Sequence, residues 1–137
     1  MAIHADIVVV NRGQQRTVAY AVRKDGSRPA EEFIDQVMDQ RSRARLFALI
    51  AKLCATGRIV NDEQFKKEED ETWGLKPTSQ VRIACFQDGR FWFLTHGFVK
   101  KRAKWPRSEL ERAEEIRHEH LARCGKSVEE QTEEQGE

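Results

Sequence analysis

The residues able to do chemistry crowd into the C-terminal third of the chain. Between positions 96 and 107 stand five cations (Lys100, Lys101, Arg102, Lys104, Arg107) and no acid. Cations at that density form a candidate phosphate-binding surface, because they raise the local potential and displace counterions from a polyanion. The same composition also suits a solvated basic turn. Arg82 falls inside residues 80–86, whose alternation predicts a strand, and an arginine within a sheet needs either solvent or an anion. His96 is the histidine of this region, and its ordinary pKa suits acid–base work. Alternation puts it with Trp92 and Leu94, facing a core. Trp105 either stacks on a base or packs on the last helix.

The other reactive side chains promise less. No CxxC occurs, and the three cysteines are far apart in the chain. His118 and His120, two apart on a helix, point about 200° apart, so they do not share a metal and are read as helix-surface residues. Cys54 and Cys85 lie in apolar periodic segments and are read as small core residues. Three scattered cysteines suit a reduced cytoplasm.

The net charge of +1 hides a division. Residues 125–137 hold one Lys and five Glu, a net of −4, which leaves +5 on residues 1–124. That acidic tail has little to bury and is expected to be disordered. Residues 1–124 suffice for one domain with one core. No apolar run has the length of a membrane helix, and the first residues do not read as a signal peptide, so the expected compartment is the cytoplasm.

These candidates must be held by elements. Residues 7–10 and 17–22 read as two β-rich runs around a polar turn, a hairpin. Residues 28–38 read as a helix, with Ser27 as a cap and Pro29 in its first turn. A second helix follows, with Leu46, Leu49, Ile50 and Leu53 as its stripe and Thr56-Gly57 as its stop. Residues 58–72 hold six acids against two lysines between positions 61 and 72 and read as a loop, at most touched by a strand. Residues 80–86 and 91–98 form a hairpin around Asp88-Gly89. Pro106 and Glu109 open a last helix whose narrow apolar side includes Leu110, Ala113, Ile116, His120 and Leu121. Hairpins with separate helices predict an α+β fold, an antiparallel sheet covered by helices.

In this order the residues resemble the HigB-like, phage-derived branch of the RelE toxin superfamily of type II toxin–antitoxin modules. Gly26-Ser27-Arg28-Pro29-Ala30-Glu31-Glu32-Phe33 looks like that family's opening of the first helix, and Leu53 through Gly57 like the close of the second. Trp73-Gly74-Leu75-Lys76 stands where the family has its W-E-L-K/R strand, and Val81-Arg82-Ile83 where it has Y-R-I/V. Leu94-Thr95-His96-Gly97-Phe98-Val99-Lys100-Lys101 is similar to L-L-H-G-F-x-K-K, and Pro106, Glu109, Ala113 and Arg117 to its closing helix. The resemblance spans about residues 17–123. Val81 and Gly74 depart from it, as does the lack of a C-terminal acid–base aromatic, near which only Trp105 stands.

The resemblance implies a RelE-like fold: an antiparallel sheet with an N-terminal hairpin, two helices packed on one side and a C-terminal helix. It also implies a metal-free endoribonuclease that cuts mRNA in the ribosomal A site and needs no cofactor. Its partner would be a small HigA-like antitoxin with a helix-turn-helix, through which alone the complex meets operator DNA. Under that reading Arg82 stabilises the phosphorane, Lys100 and Lys101 bind phosphate or transfer protons, and His96 is a second acid–base candidate. Lys76 corresponds to the family's strand cation, and Arg102, Lys104 and Trp105 contact RNA. Two rival readings use the same residues: a non-cutting RNA- or protein-binding protein of a phage or mobile element, and a structural subunit docking through an uncovered aromatic strand.

Overall fold

The computed structural model describes residues 7–124; the tail expected to be disordered lies outside them. The elements run β1 (Val9–Arg12), β2 (Thr17–Tyr20), α1 (Pro29–Gln36), α2 (Gln40–Thr56), β3 (Phe65–Glu69), β4 (Thr72–Leu75), β5 (Val81–Asp88), β6 (Phe91–Val99) and α3 (Arg107–Cys124). The strands form one six-stranded sheet in the order β1-β2-β6-β5-β4-β3.

The fold is α+β, but the sheet is mixed rather than antiparallel. β2 pairs with β6 in parallel, Thr17 opposite Phe91 and Tyr20 opposite Leu94, while the remaining ladders are antiparallel. The hairpins are written locally in turn residues. The β2–β6 pairing joins distant segments, and its direction is set by the return path through α1 and α2. It also corrects the reading of an uncovered aromatic strand, because β6 is hydrogen-bonded on both edges.

Each face of the sheet has its own cover. Against one face, α1 and α2 bring Ala30, Ile34, Leu46, Ile50 and Leu53 onto Ile83, Cys85, Trp92 and Leu94. Against the other, α3 brings Ile116 onto Phe86 and Phe93, and Ala113 onto Ala84, Phe98 and Trp105. Burying those apolar faces from both sides is the main stabilising term for such a layered domain.

The helix ends follow the chain's local chemistry, with one correction. Pro29 occupies the start of α1, but the cap position is Arg28, without a side-chain cap. Ser27 comes one residue too early, and its N–H donates instead to Asp25 Oδ1 at 2.9 Å. In α2, Asp39 is the cap, accepting from Ser42 N–H at 2.8 Å, and Gly57 closes the helix at φ 88°. There the left-handed conformation favours glycine.

Residues 58–72, expected as a loop, hold β3 and the start of β4. Only Phe65 of β3 is buried, so its charged, solvent-facing remainder gives no alternation to read. It is an edge strand protected by charge.

Candidate functional site

β4 leaves the sheet and β5 returns through Lys76-Pro77-Thr78-Ser79. Leu75 and Ile83 are partners in the β4–β5 ladder, so Lys76 and Arg82, the next residues outward, stand opposite one another. Lys100 joins the same end of the sheet: its N–H donates to the Gln80 carbonyl at 2.7 Å. Three of the cations expected at a site (Lys76, Arg82 and Lys100) therefore converge where three strands end.

Arg82 is only 6% exposed. Its Nη1 donates to the carbonyls of Thr78 and Val81, each at 3.0 Å, while its Nε is buried without a partner. Two backbone anchors fix the guanidinium plane, which preorganises the group for an anion. The carboxylate that Arg82 senses is Glu68 of β3, which partly offsets the lowering of its pKa by burial.

Lys76 is held below the ordinary lysine range. Burial is the main cause; Arg82, Lys66 and Lys100 add repulsion, and Glu68 opposes it. Such a lysine releases a proton more readily than a solvated one and suits proton transfer to a leaving oxygen.

An open recess of about 430 Å³ lies against these groups, lined by Arg45, Glu63, Lys76, Pro77, Thr78, Ser79 and Arg82. Arg45 arrives from α2 and Glu63 from the segment before β3. The sequence does not single out either one: Arg45 is one of several arginines along a helix, and Glu63 is one acid in an acidic run. At the far end of β4, a recess of about 550 Å³ is lined mostly by acids (Glu69, Asp70, Glu71, Glu114) beside Lys67 and Arg117. Its charge disfavours a phosphate.

The other expected site residues are dispersed. Lys101, Arg102 and Lys104 are exposed between β6 and α3, and none lines the recess. Of the two readings of His96, acid–base candidate and core-facing side chain, the structure shows the core-facing one. His96 is 1% exposed, its Nε2 lies 2.9 Å from Glu109 Oε1, and its ring stacks on Phe98. Burial lowers its pKa, with Glu109 opposing. The expected face is wrong. In the β5–β6 ladder Ala84 faces His96 but Cys85 faces Leu94, so Thr95 is an extra residue that turns His96 toward α3.

Trp105 packs rather than stacking on RNA. It is 8% exposed and meets Phe98 edge-on at 4.8 Å. Its ring fills the place of a Cβ at position 74, where Cζ2 would stand 2.6 Å away. Gly74, which departs from the glutamate of the resembled pattern, is what admits this ring.

His120, read as a helix-surface residue although the periodicity of the last helix puts it on the apolar side, lies in the core. It is 1% exposed, its Nδ1 accepts from Val22 N–H at 3.0 Å, and it packs on Phe93. Burial pushes its pKa down to about 4. His118 is exposed beside Glu114.

A mixed sheet covered on both faces, with a recess lined by three cations where β4, β5 and β6 end, defines a small α+β protein. The chain belongs to the family described as phage-derived protein Gp49-like (DUF891), whose model matches residues 32–118, and that family is RelE-like and toxin-like in kind. The match covers α2, β3 to β6 and most of α1 and α3, and thus every residue lining the recess. A comparison with curated proteins finds none that matches. Among the described residues no helix is long and apolar enough to cross a membrane.

Proposed function

We propose that this protein is the toxin of a HigB-like type II toxin–antitoxin pair and an endoribonuclease that cuts mRNA on the ribosome. The observation that carries the reading is Arg82: a buried, backbone-anchored guanidinium opposite Lys76, at the wall of an open recess.

Cleavage by the neighbouring 2′-hydroxyl needs a base, a charge stabiliser and an acid. Glu63, the one carboxylate lining the recess, takes the 2′-hydroxyl proton. The 2′-oxygen forms its bond to phosphorus, and Arg82 with Arg45 stabilises the phosphorane. The bond from phosphorus to the 5′-oxygen then breaks, and Lys76 protonates that oxygen. The products are a 2′,3′-cyclic phosphate and a 5′-hydroxyl. Lys100 reinforces the field, and Lys101, Arg102 and Lys104 hold flanking RNA or ribosomal RNA through charge. The partner is a HigA-like helix-turn-helix antitoxin that covers or distorts the recess and carries the complex to operator DNA.

One observation favours the non-cutting rival. Trp105, an aromatic within the basic segment, is locked in packing, so it cannot serve as a mobile ring at the site. Growth separates the two. Induced expression of the chain alone arrests growth, and Arg82→Ala relieves the arrest while leaving expression unchanged. An arrest that persists in Arg82→Ala, or no arrest at all, overturns the proposal.

A further inference from the structure

Next to the cationic recess lies a second, narrower groove of about 260 Å³, lined by Arg45, Ala48, Leu49, Gln64, Lys76 and Pro77. It shares Arg45, Lys76 and Pro77 with the recess, so the two are neighbours along one path.

Their linings differ in chemistry. The recess is cationic and hydroxylic. The groove has apolar sides, Ala48 and Leu49 from α2 and Pro77 from the turn after β4, with the carboxamide of Gln64 among them. At that size it falls below the roughly 300–1,000 Å³ of pockets for drug-sized ligands; one flat ring system suits it.

Gln64 is held in position by its backbone. Its N–H donates to the Asn61 carbonyl at 2.9 Å, and its own carbonyl accepts from Lys76 N–H at 2.9 Å. Its side-chain oxygen, in contrast, is out of solvent with no hydrogen-bond partner. An unpaired buried acceptor is costly. Turning this carboxamide toward a ligand therefore forfeits no bond at its oxygen and gains one.

The occupant must have flat apolar faces, an edge that donates and accepts, and an attached anion. We infer that the groove seats one nucleobase of single-stranded RNA, next to the phosphate held at Arg82 and Lys76, and that Gln64 reads its edge. This rests on the RNA-cleaving reading of the recess and adds a base-specific subsite to it. Carboxamides read base edges by paired donation and acceptance, and apolar side chains pack on base faces.

The test uses the full chain and short RNA oligonucleotides with 2′-O-methyl groups, which block cleavage. Each of the four bases, or an abasic unit, is stepped through every position, and affinity is read by fluorescence anisotropy across a salt series. One position should favour one base over the others and over the abasic unit by about fivefold or more. Gln64→Ala should narrow that preference to within about twofold while keeping the salt slope of the wild type. Leu49→Ala should weaken base-containing oligonucleotides relative to the abasic one. Salt-dependent binding that is equal for all four bases and the abasic unit overturns the subsite and leaves the cationic recess standing. So does a preference that Gln64→Ala leaves intact. Absence of binding to every oligonucleotide overturns the subsite and the RNA reading together.

Discussion

In the proposed cleavage Arg82 is the residue on which the chemistry turns, and the reason is geometric as much as electrostatic. The carbonyls of Thr78 and Val81 hold its plane, which a lysine ammonium on a flexible stem does not reproduce. Arg82→Lys should therefore behave nearly as badly as Arg82→Ala. We expect either to lower cleavage by about 10²–10³-fold, the usual cost of one preorganised donor, as measured by the rate of appearance of new RNA 5′ ends. Arg82 stands out in the sequence because an arginine inside an alternating strand needs either solvent or an anion, and the structure buries it. His96 is buried as its alternation predicts, but on the other face of the sheet, because a single extra residue, Thr95, reverses the face of everything after it and no local pattern marks that bulge. Trp105 was ambiguous because its partner is a missing side chain: the space is created by Gly74. Gly74→Ala should cost about 1–3 kcal/mol by forcing a packed ring to move, read as a lowered urea midpoint. Trp105→Ala should cost about 3–5 kcal/mol by leaving a cavity.

At the scale of elements, α3 is the part whose chemistry the sequence concealed. Its mean character is polar, and its contacts are few but specific: Ala113 and Ile116 on the sheet, Glu109 on His96, His120 on Val22. Ion pairs add a rim, where Arg23 meets both Glu115 and Glu119 and holds the latter well below the usual carboxylate range, near 2. That rim is exposed in part and contributes little by itself. The buried histidines set the pH response. His120 has a folded-state pKa of about 4 against about 6.5 when unfolded. Its neutral form is favoured in the folded chain, so its contribution is complete above pH 6.5 and is lost as pH falls from there toward 4. Stability should thus decline over that window by up to about 3 kcal/mol from this residue. His120→Gln keeps an acceptor for Val22 N–H and does not titrate, so its urea midpoint should change less between pH 7 and pH 5 than that of the wild type. An identical decline in both proteins would show that acid acts elsewhere. The hairpins and helices were legible from turn residues and periodicity. The parallel β2–β6 pairing was not, because no residue in either strand records the path of the helices between them.

For the whole molecule, near-neutral net charge conceals a directional one. Lys76, Arg82 and Lys100 gather at one end of the sheet with Arg45, while Glu69, Asp70, Glu71 and Glu114 gather around the far end of β4. The described part of the chain is therefore polar along its strands, and a polyanion should meet it at one end. RNA affinity should fall steeply with salt, and Lys76→Ala should reduce the slope of log affinity against log salt by about 0.7, as one lost contact to a single strand does. The division legible in the sequence sets residues 1–124 against an acidic tail outside the described residues; the division along the strands is not legible there, because Arg45 and Glu63 come to the recess from segments with no pattern of their own. The most direct test of the central claim is primer extension on a translated mRNA with wild type and Arg82→Ala. Discrete new ends are expected with wild type, carrying 2′,3′-cyclic phosphate on the upstream fragment, and they should nearly disappear with Arg82→Ala. Intact mRNA with the wild type, or equal cleavage by both proteins, would contradict the claim.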